Sequence, residues 1–177
     1  MKYKVTGKQN NSAMCFVCGM SNEFGMRAKF YECENHAGEQ VLLCIVEPKP
    51  EYQSYPNRMH GGISAALVDE VVGRAISITQ PKTWGVTTDL ATRYRKPVPL
   101  DRTLYIEGKI TIEKSRGFEG EGKLFHVGDD GKIVTCVTAT ARYLNAPIEN
   151  IIGNGESMSN EEWFMVEEDL PEEIIIQ

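Results

Sequence analysis

One stretch of the sequence combines residue types that can act on a carbonyl group. The segment HGGISAALVDEVVG, residues 60–73, places His60, Gly61 and Gly62 before an apolar pattern that contains Asp69 and Glu70. A helix that begins at two glycines has unpaired backbone N–H groups, and a carbonyl oxygen can approach them closely. A carboxylate on an apolar helix is desolvated, which suits a general base. The segment therefore predicts an oxyanion-binding helix start and a catalytic carboxylate.

The same residues also have simpler interpretations. Gly61 and Gly62 can serve only to enter a tight turn, and His60 can be an ordinary loop residue. Asp69 and Glu70 are adjacent, so their side chains point about 100° apart around a helix, and at most one of them faces a given groove. Because valines flank the pair, little solvated helix surface remains for it.

The segments around this helix must position it. Apolar residues recur at three- and four-residue steps from Gly61, which predicts a helix that is apolar nearly all round and ends at Pro81. Strand-like runs lie at 26–33 and 39–48 before it, and at 85–98, 103–115, 118–128 and 132–144 after it. In the run at 103–115, the alternate residues from Leu104 to Ile112 are expected on one face. A helix that is apolar nearly all round has to pack against other elements on most of its sides. We therefore predict an α+β fold in which an antiparallel sheet of five to six strands curls around one central helix.

The composition favours one domain with a loose end. The 177 residues carry a formal net charge of −6, which argues against nucleic acid as a partner, because phosphate binding needs a basic surface. No apolar run approaches the ~18 residues needed to cross a bilayer, and the first residues lack a signal-peptide core, so we expect a cytoplasmic protein that binds no membrane. We divide the chain into an N-terminal segment at 1–24, a domain at 25–145 and an acidic tail at 146–177, where Trp163, Phe164 and Met165 can dock.

The five cysteines do not predict a disulfide framework. Their odd number and scattered spacing suit a reducing compartment, and two of them, Cys44 and Cys136, lie in apolar runs that predict small core residues. Two others form the motif CFVCG, residues 15–19, which has the spacing of half a zinc site. Cys33 and His36 are the nearest further ligands. A metal or redox module is therefore one alternative, although we expect no metal and no cofactor.

The segment HGGISAALVDEVVG resembles the central-helix signature of hotdog-fold acyl-CoA thioesterases of the phenylacetate-degradation (PaaI-like) type. The order of two strands, one helix and four strands is also that of the hotdog fold, in which a curved antiparallel sheet wraps a long helix. CFVCGMSNEFGMRAKF, residues 15–30, resembles the N-terminal segment of many members. The resemblance runs over residues 15–145 and implies an enzyme that hydrolyses acyl-CoA thioesters without a cofactor.

The resemblance implies a role for each residue that matches the signature. Gly61 and Gly62 stand where a main-chain N–H binds the thioester carbonyl. Asp69 matches the carboxylate that acts as nucleophile or as general base on water. Thr87, in GVTTDLATRY, matches a Ser or Thr that helps to hold the attacking water. His60 matches a residue that supports the loop or the leaving thiolate.

The same resemblance implies a site shared by two subunits. In the hotdog fold the helix start of one subunit faces the carboxylate of the other, so we expect a homodimer, which can pair into a homotetramer. Basic residues in TRYRKPVP, residues 92–99, match the strand end that meets the phosphates of coenzyme A. The candidates are Arg93, Arg95 and Lys96. Glu70, as the neighbour of the catalytic carboxylate, is expected to point elsewhere.

The loop before the helix departs from the resemblance. Many relatives carry an Asn or Gln there, close to the substrate carbonyl, and here that position is Ser54. Gln53 beside it and Asn57 nearer to His60 are the other candidates for the missing amide. The departure leaves open a non-catalytic acyl-CoA binder. A hotdog hydratase acting on enoyl- or hydroxyacyl-thioesters is a further alternative, although such enzymes usually pair the Asp with a His shortly after it, and His126 lies far downstream.

Overall fold

The fold is built around one helix. The computed structural model describes residues 1–81, 83–146, 150–151 and 170–177 of the chain. Its helix α1 spans Gly61–Ala75, and a 3-10 turn at Ile76–Ile78 continues it; another 3-10 turn lies at Pro50–Tyr52. The predicted helix is thus confirmed, and it ends a few residues before Pro81. No described helix is long and apolar enough to cross a membrane.

Ten strands accompany the helix in the described part of the chain. They are β1 Lys2–Gln9, β2 Lys29–Glu34, β3 Gln40–Val46, β4 Gln53–Tyr55, β5 Arg58–Met59, β6 Trp84–Tyr94, β7 Leu104–Lys114, β8 Gly117–Val127, β9 Ile133–Ala146 and β10 Glu173–Ile175. β4 and β5 form a small hairpin, and the other eight form one antiparallel sheet in the order β10-β1-β2-β3-β7-β8-β9-β6. The helix contacts the five neighbouring strands β3, β7, β8, β9 and β6.

The predicted α+β hotdog architecture is confirmed, but the number of strands is not. The sheet has eight strands rather than five or six, because β1 and β10 extend it beyond β2. Only Tyr3 is fully buried in β1, so the local sequence there carries too little alternation to predict a strand. Both added strands fall in segments that we predicted to lie outside the domain, a division that stays a prediction. Trp163, Phe164 and Met165 lie outside the described residues.

The two faces of the sheet pack into separate apolar clusters. Leu42 and Cys44 in β3 belong to the cluster that contains Leu67 of α1, whereas Val41 and Leu43 belong to a cluster on the opposite face. Successive residues of a strand point to opposite faces, which explains this division. Cys44 and Cys136 are both fully buried and free, so the prediction that they are core residues is confirmed.

The alternation of β7 is interrupted by a bulge. Leu104 and Ile106 are fully buried on the helix side, as predicted, but the register with β8 shifts between Ile110 and Ile112. Ile112 is 46% exposed, so the prediction that it shares their face is wrong. A bulge inserts one extra residue and changes the face to which the following side chains point.

Three glycines allow α1 to lie directly on the sheet. Gly108 in β7 and Gly120 and Gly122 in β8 lie beneath the helix, next to its valines. A Cβ atom at Gly122 would lie 2.7 Å from Val72 Cγ2, and one at Gly120 would lie 2.6 Å from Val72 Cγ1. Both distances are shorter than a van der Waals contact, so a side chain at either position would push the helix away from the sheet.

We predict that Gly122→Ala lowers the free energy of unfolding by about 1–3 kcal/mol, because the added methyl group overpacks a filled contact. Val72→Ala makes room for that methyl group, so the double variant should be more stable than the sum of the two single changes implies. Urea unfolding of the wild type, both single variants and the double variant measures the coupling. Additive effects would contradict direct packing between these two residues.

Candidate active site

The start of α1 has one backbone N–H group without an acceptor. His60 is the N-cap residue, with φ −63° and ψ 134°, and its Nδ1 accepts a hydrogen bond of 3.0 Å from the Gly62 N–H. The N–H groups of Ile63 and Ser64 donate to the His60 carbonyl oxygen. Among the described residues nothing accepts from the Gly61 N–H. Of the two glycines, Gly61 is therefore the one that is free to bind an external oxygen.

Two hydroxyl groups from neighbouring strands hold the Asp69 carboxylate. Thr87 Oγ1 in β6 lies 3.0 Å from Asp69 Oδ1 and 3.2 Å from Oδ2, so its hydroxyl can donate to either oxygen. Tyr143 Oη in β9 lies 3.0 Å from Oδ1 and 3.0 Å from the Asp69 backbone oxygen. The carboxylate is only partly buried. It is thus fixed in orientation while a ligand can still reach it.

Tyr143 is a site residue that sequence reasoning missed. It is 3% exposed, and its ring stacks on Phe118 with the centroids 4.7 Å apart. Burial, and then the charge of Asp69, raises the pKa of the Tyr143 hydroxyl above its usual range, so it remains a neutral donor. Its partner in the β6–β9 ladder is Thr87, which places both hydroxyl groups on one face of the sheet. The sequence of β9 by itself predicts only that Tyr143 is a core residue. Placing Tyr143 in the site requires the register between β6 and β9, which the sequence does not show.

Gly73 makes room for this tyrosine. It lies one helical turn after Asp69, and a Cβ atom there would lie 3.0 Å from Tyr143 Cε1. Most real Cβ atoms keep a longer distance from their neighbours, so the ring would have to shift if Gly73 had a side chain. The last residue of the segment HGGISAALVDEVVG therefore contributes to the position of the carboxylate.

Glu70 has different surroundings from its neighbour. Its Oε1 lies 2.6 Å from Arg74 Nε, one turn further along the helix, and Arg74 also contacts Cys18 Sγ at 3.1 Å. Adjacent helix residues diverge by about 100°, so Glu70 cannot share the hydroxyl donors of Asp69. The two carboxylates are separate features, and only one of them lies with Thr87.

The loop before α1 uses its amide side chains to build the β4–β5 turn. Gln53 Oε1 accepts a hydrogen bond of 2.8 Å from the Asn57 N–H, and Asn57 Nδ2 donates to Asp101 at 3.2 Å. Asn57 has a φ of 56°, a left-handed conformation that Asn adopts more readily than most residues. Ser54 is exposed. In the described ranges no hydrogen bond links these three candidates to Asp69.

Arg93, near the end of β6, and Arg95 and Lys96, just after it, do not all line the same cavity. Arg93 and Arg95 line a groove of about 660 Å³ on the sheet, whereas Lys96 lines a second cavity of about 310 Å³. The second cavity also contains Asn57, Arg58, Asp101, Arg102 and His126. Arg93, Arg95 and Lys96 thus stay predicted candidates for binding the phosphates of coenzyme A, although they line two different cavities.

The alternative zinc site of three cysteines and a histidine is not assembled. Cys33 belongs to the cluster on the sheet face opposite α1, and burial raises its pKa to about 12. His36 lines the larger groove. Cys15 and Cys18 pack instead with the cluster that contains α1. The sheet thus separates the two pairs, and the hypothesis that Cys33 or His36 completes a site with CFVCG is wrong.

Comparison with known proteins finds one family model that part of the chain matches. Residues 57–133 match the family model described as the thioesterase superfamily, which is less than half of the chain. That segment contains α1 with Gly61 and Asp69, and β6 with Thr87. No curated protein sequence matches the chain. Residues 57–133 are therefore similar to the thioesterase superfamily, within a chain that has the hotdog fold.

Solved structures with the same fold include proteins crystallised with coenzyme A. A thioesterase superfamily protein is 26% identical, with a TM-score of 0.60 over 73% of this chain and 59% of that one. A Bacillus halodurans protein, solved with CoA, is 25% identical, with a TM-score of 0.51 over 59% of this chain and 66% of that one. A Streptococcus mutans protein bound to acetyl CoA is 20% identical, with a TM-score of 0.52 over 60% of this chain and 82% of that one, which is a likeness of fold alone. This chain thus spans less than two thirds of the length of the first two of these proteins.

We predict that His60→Ala lowers the free energy of unfolding by about 1 kcal/mol, because the Gly62 N–H loses its acceptor at the helix start. His60→Asn is the matched control, since Asn is among the best N-cap residues and restores an acceptor. Urea unfolding of both variants and the wild type measures the difference. An alanine variant as stable as the wild type would show that the imidazole does not cap α1.

Proposed function

We propose that this protein is an acyl-CoA thioesterase of the PaaI-like type, which hydrolyses a thioester to the free acid and coenzyme A. The observation that carries the proposal is the Asp69 carboxylate, which accepts hydrogen bonds from Thr87 and Tyr143 of the sheet. Asp69 lies on α1, and Gly61, the first residue of that helix, has an N–H without an acceptor among the described residues. The thioesterase-superfamily match of residues 57–133 supports the proposal, as does the likeness to the Bacillus halodurans protein solved with CoA.

The oxyanion donor and the carboxylate come from different subunits in this proposal. Asp69 follows Gly61 by just over two helical turns, which is ~12 Å along the axis. One thioester carbonyl cannot contact both groups at that separation. A second copy whose helix runs in the opposite direction would bring its Gly61 to the Asp69 of the first. We therefore infer a homodimer with two equivalent sites.

The edge of the sheet supports this assembly. β6 is the last strand of the sheet, and in the described residues no strand pairs with its outer side. Val86 and Tyr94 in β6 are 42% and 54% exposed, and Leu144, opposite Val86 in β9, is 53% exposed. An open edge with exposed apolar side chains favours association with another chain. Pairing of dimers into a tetramer and a cytoplasmic location stay predictions.

The chemistry assigns one task to each group. The Gly61 N–H donates to the thioester oxygen and stabilises the negative charge that develops on it. In one route Asp69 takes a proton from a water that attacks the carbonyl carbon, the C–S bond breaks, and the free acid forms directly. In the other route Asp69 itself attacks, the C–S bond breaks, and water then hydrolyses the resulting anhydride to release the free acid and restore the carboxylate. In both routes coenzyme A leaves as the thiolate, which takes up a proton. Thr87 is placed to orient the carboxylate or the attacking water, and Tyr143 positions the carboxylate.

The nucleotide end of coenzyme A is assigned to the smaller cavity. Lys96 lies there with Arg58 and Arg102, and Asp101 is the one acidic residue of the lining; Arg102 forms ion pairs with Asp101 and with Asp129 outside the lining. In the larger groove with Arg93 and Arg95, two lysines already form ion pairs with three glutamates. Phosphates bind where basic side chains exceed acidic ones, so the smaller cavity is the better candidate.

A second candidate function is binding of acyl-CoA without hydrolysis. The observation that favours it is the loop before α1, where the amide groups of Gln53 and Asn57 are engaged in the turn. Release of free thiol from phenylacetyl-, benzoyl- and medium-chain acyl-CoA separates the two functions. A thioesterase produces thiol from at least one of them, whereas a binder retains the intact thioester.

We predict that Gly61→Pro lowers kcat about 10²- to 10³-fold, because it removes the proposed oxyanion donor. Proline fits this position: Gly61 is the first residue of α1, where no helical hydrogen bond needs its N–H, and His60 already has the extended backbone required before proline. Gly61→Ala is the matched control, since it keeps the N–H and its Cβ would make an ordinary contact of 3.5 Å with the Tyr94 ring. Equal rates for the two variants would exclude this N–H from catalysis.

We predict that Asp69→Asn also abolishes hydrolysis, and that mixing it with Gly61→Pro restores part of the rate. A heterodimer of the two variants contains one site with an intact glycine and an intact aspartate, so about half of the wild-type rate per heterodimer should return. The two chains are co-expressed with different tags and purified over both. Glu34→Gln, which changes an exposed carboxylate of β2, controls for the loss of a charge. A site within one subunit would regain nothing.

A further inference from the structure

Two cysteines of the N-terminal segment meet a carboxylate of α1. Asn11 Nδ2 fastens this segment to the core through hydrogen bonds to the carbonyl oxygens of Cys18 and Ala28, at 2.7 and 2.8 Å. The sulfur atoms of Cys15 and Cys18 and a carboxylate oxygen of Glu70 all lie within 4.8 Å of one another. The proposed hydrolysis uses none of these three groups.

The turn between the two cysteines directs both sulfur atoms to the same place. The Cys18 N–H donates to Cys15 Sγ at 3.4 Å, and the Gly19 N–H donates to the Cys15 carbonyl oxygen at 2.8 Å. A Cβ atom at Gly19 would lie 2.4 Å from that oxygen, so the turn requires glycine after the second cysteine. Ser12 Oγ lies 3.3 Å from Cys18 Sγ. Hydrogen bonds of this kind stabilise thiolates, the form of cysteine that binds metals.

The charges around the cluster match a divalent cation. Arg74 contacts Glu70 and Cys18, and it is anchored by a 3.0 Å hydrogen bond to the Asn10 carbonyl oxygen and by the Phe30 ring, 4.5 Å from its guanidinium carbon. Two thiolates and one carboxylate carry three negative charges. Arg74 offsets one of them, and a divalent cation would offset the other two. A buried group of charges is stable only when such a balance is reached.

We propose that Cys15, Cys18 and Glu70 bind Zn²⁺, with the fourth position filled by water. Zinc takes thiolate ligands at about 2.3 Å and carboxylate ligands at about 2.0–2.2 Å, in a tetrahedral arrangement. The ligand atoms then lie up to about 3.8 Å apart, so the three groups must close by about 1 Å or less. Cys15 and Glu70 are only partly buried and have room for this rotation. Thiolate ligands favour zinc over magnesium or calcium.

The zinc would join the N-terminal segment to the helix that carries the candidate catalytic group. Glu70 follows Asp69 directly, and the two side chains lie on different sides of α1, so the metal contacts the helix without entering the hydrolytic site. Its role in this proposal is structural. A bond from residues 15 and 18 to α1 restrains the helix at the point where the position of Asp69 matters most.

Metal analysis of the full chain tests the proposal. Wild-type protein purified without chelators should contain one zinc per chain by elemental mass spectrometry, and the Cys15→Ser variant should contain none. Cys136→Ala, which changes a buried cysteine outside the cluster, should retain the metal. Replacement by Co²⁺ should give the charge-transfer absorption of a cobalt–thiolate bond in the wild type, and Cys15→Ser should lack it. Removal of zinc should lower the Tm of the wild type only.

The measurements have clear contrary outcomes. The proposal is overturned if the wild type holds no more zinc than Cys15→Ser and shows no cobalt–thiolate absorption with its cysteines reduced. A disulfide between Cys15 and Cys18 in metal-free protein would also overturn it and assign the pair to redox chemistry. The cobalt spectrum of the wild type decides the question even if the serine variant is unstable. Because no readout depends on hydrolysis, the result is independent of the proposed thioesterase activity.

Discussion

The close packing of α1 on the sheet is the constraint on which the rest of the structure depends. Leu67, Val68, Val71 and Val72 are fully buried, and each such side chain stabilises the fold by about 1.5–3 kcal/mol. Side chains of this size can be buried on α1 only because the strands beneath it have glycines where the helix comes closest. The position of α1 is therefore set by shape, and every polar group on it has to find partners in the place that this packing imposes.

The two carboxylates of α1, Asp69 and Glu70, have different kinds of partners. Asp69 accepts hydrogen bonds from hydroxyl groups, which leave its charge intact and available. Glu70 is neutralised by Arg74, one turn away, in a pair where both side chains are only about a quarter exposed or less. A carboxylate with neutral donors can still act as a nucleophile or a base, whereas one bound to a guanidinium is held as an ion. The surroundings, more than the residue types, thus separate a candidate catalytic group from a structural one.

The sequence was sufficient for those features that depend on neighbouring residues. The helix, the main strands and the divergence of the two carboxylates follow from local periodicity. The strand at Lys2–Gln9 did not, because its stability comes from pairing with β2 rather than from its own pattern. Tyr143 was missed for the same reason: its contact with Asp69 spans 74 residues and depends on how β6 and β9 align.

The position of Thr87 and Tyr143 in the sheet is consistent with the proposed site between two subunits. β6 is the edge strand and β9 is its only neighbour, so the hydroxyl groups that fix Asp69 lie at the border of the sheet among the described strands. A carboxylate at the centre of the core would be inaccessible, and one on a free surface would be fully hydrated. At an edge that a second copy covers, it is both reachable and shielded from bulk water, which strengthens its interaction with a polarised carbonyl. The open edge at β6 is thus the physical reason to expect the proposed chemistry there.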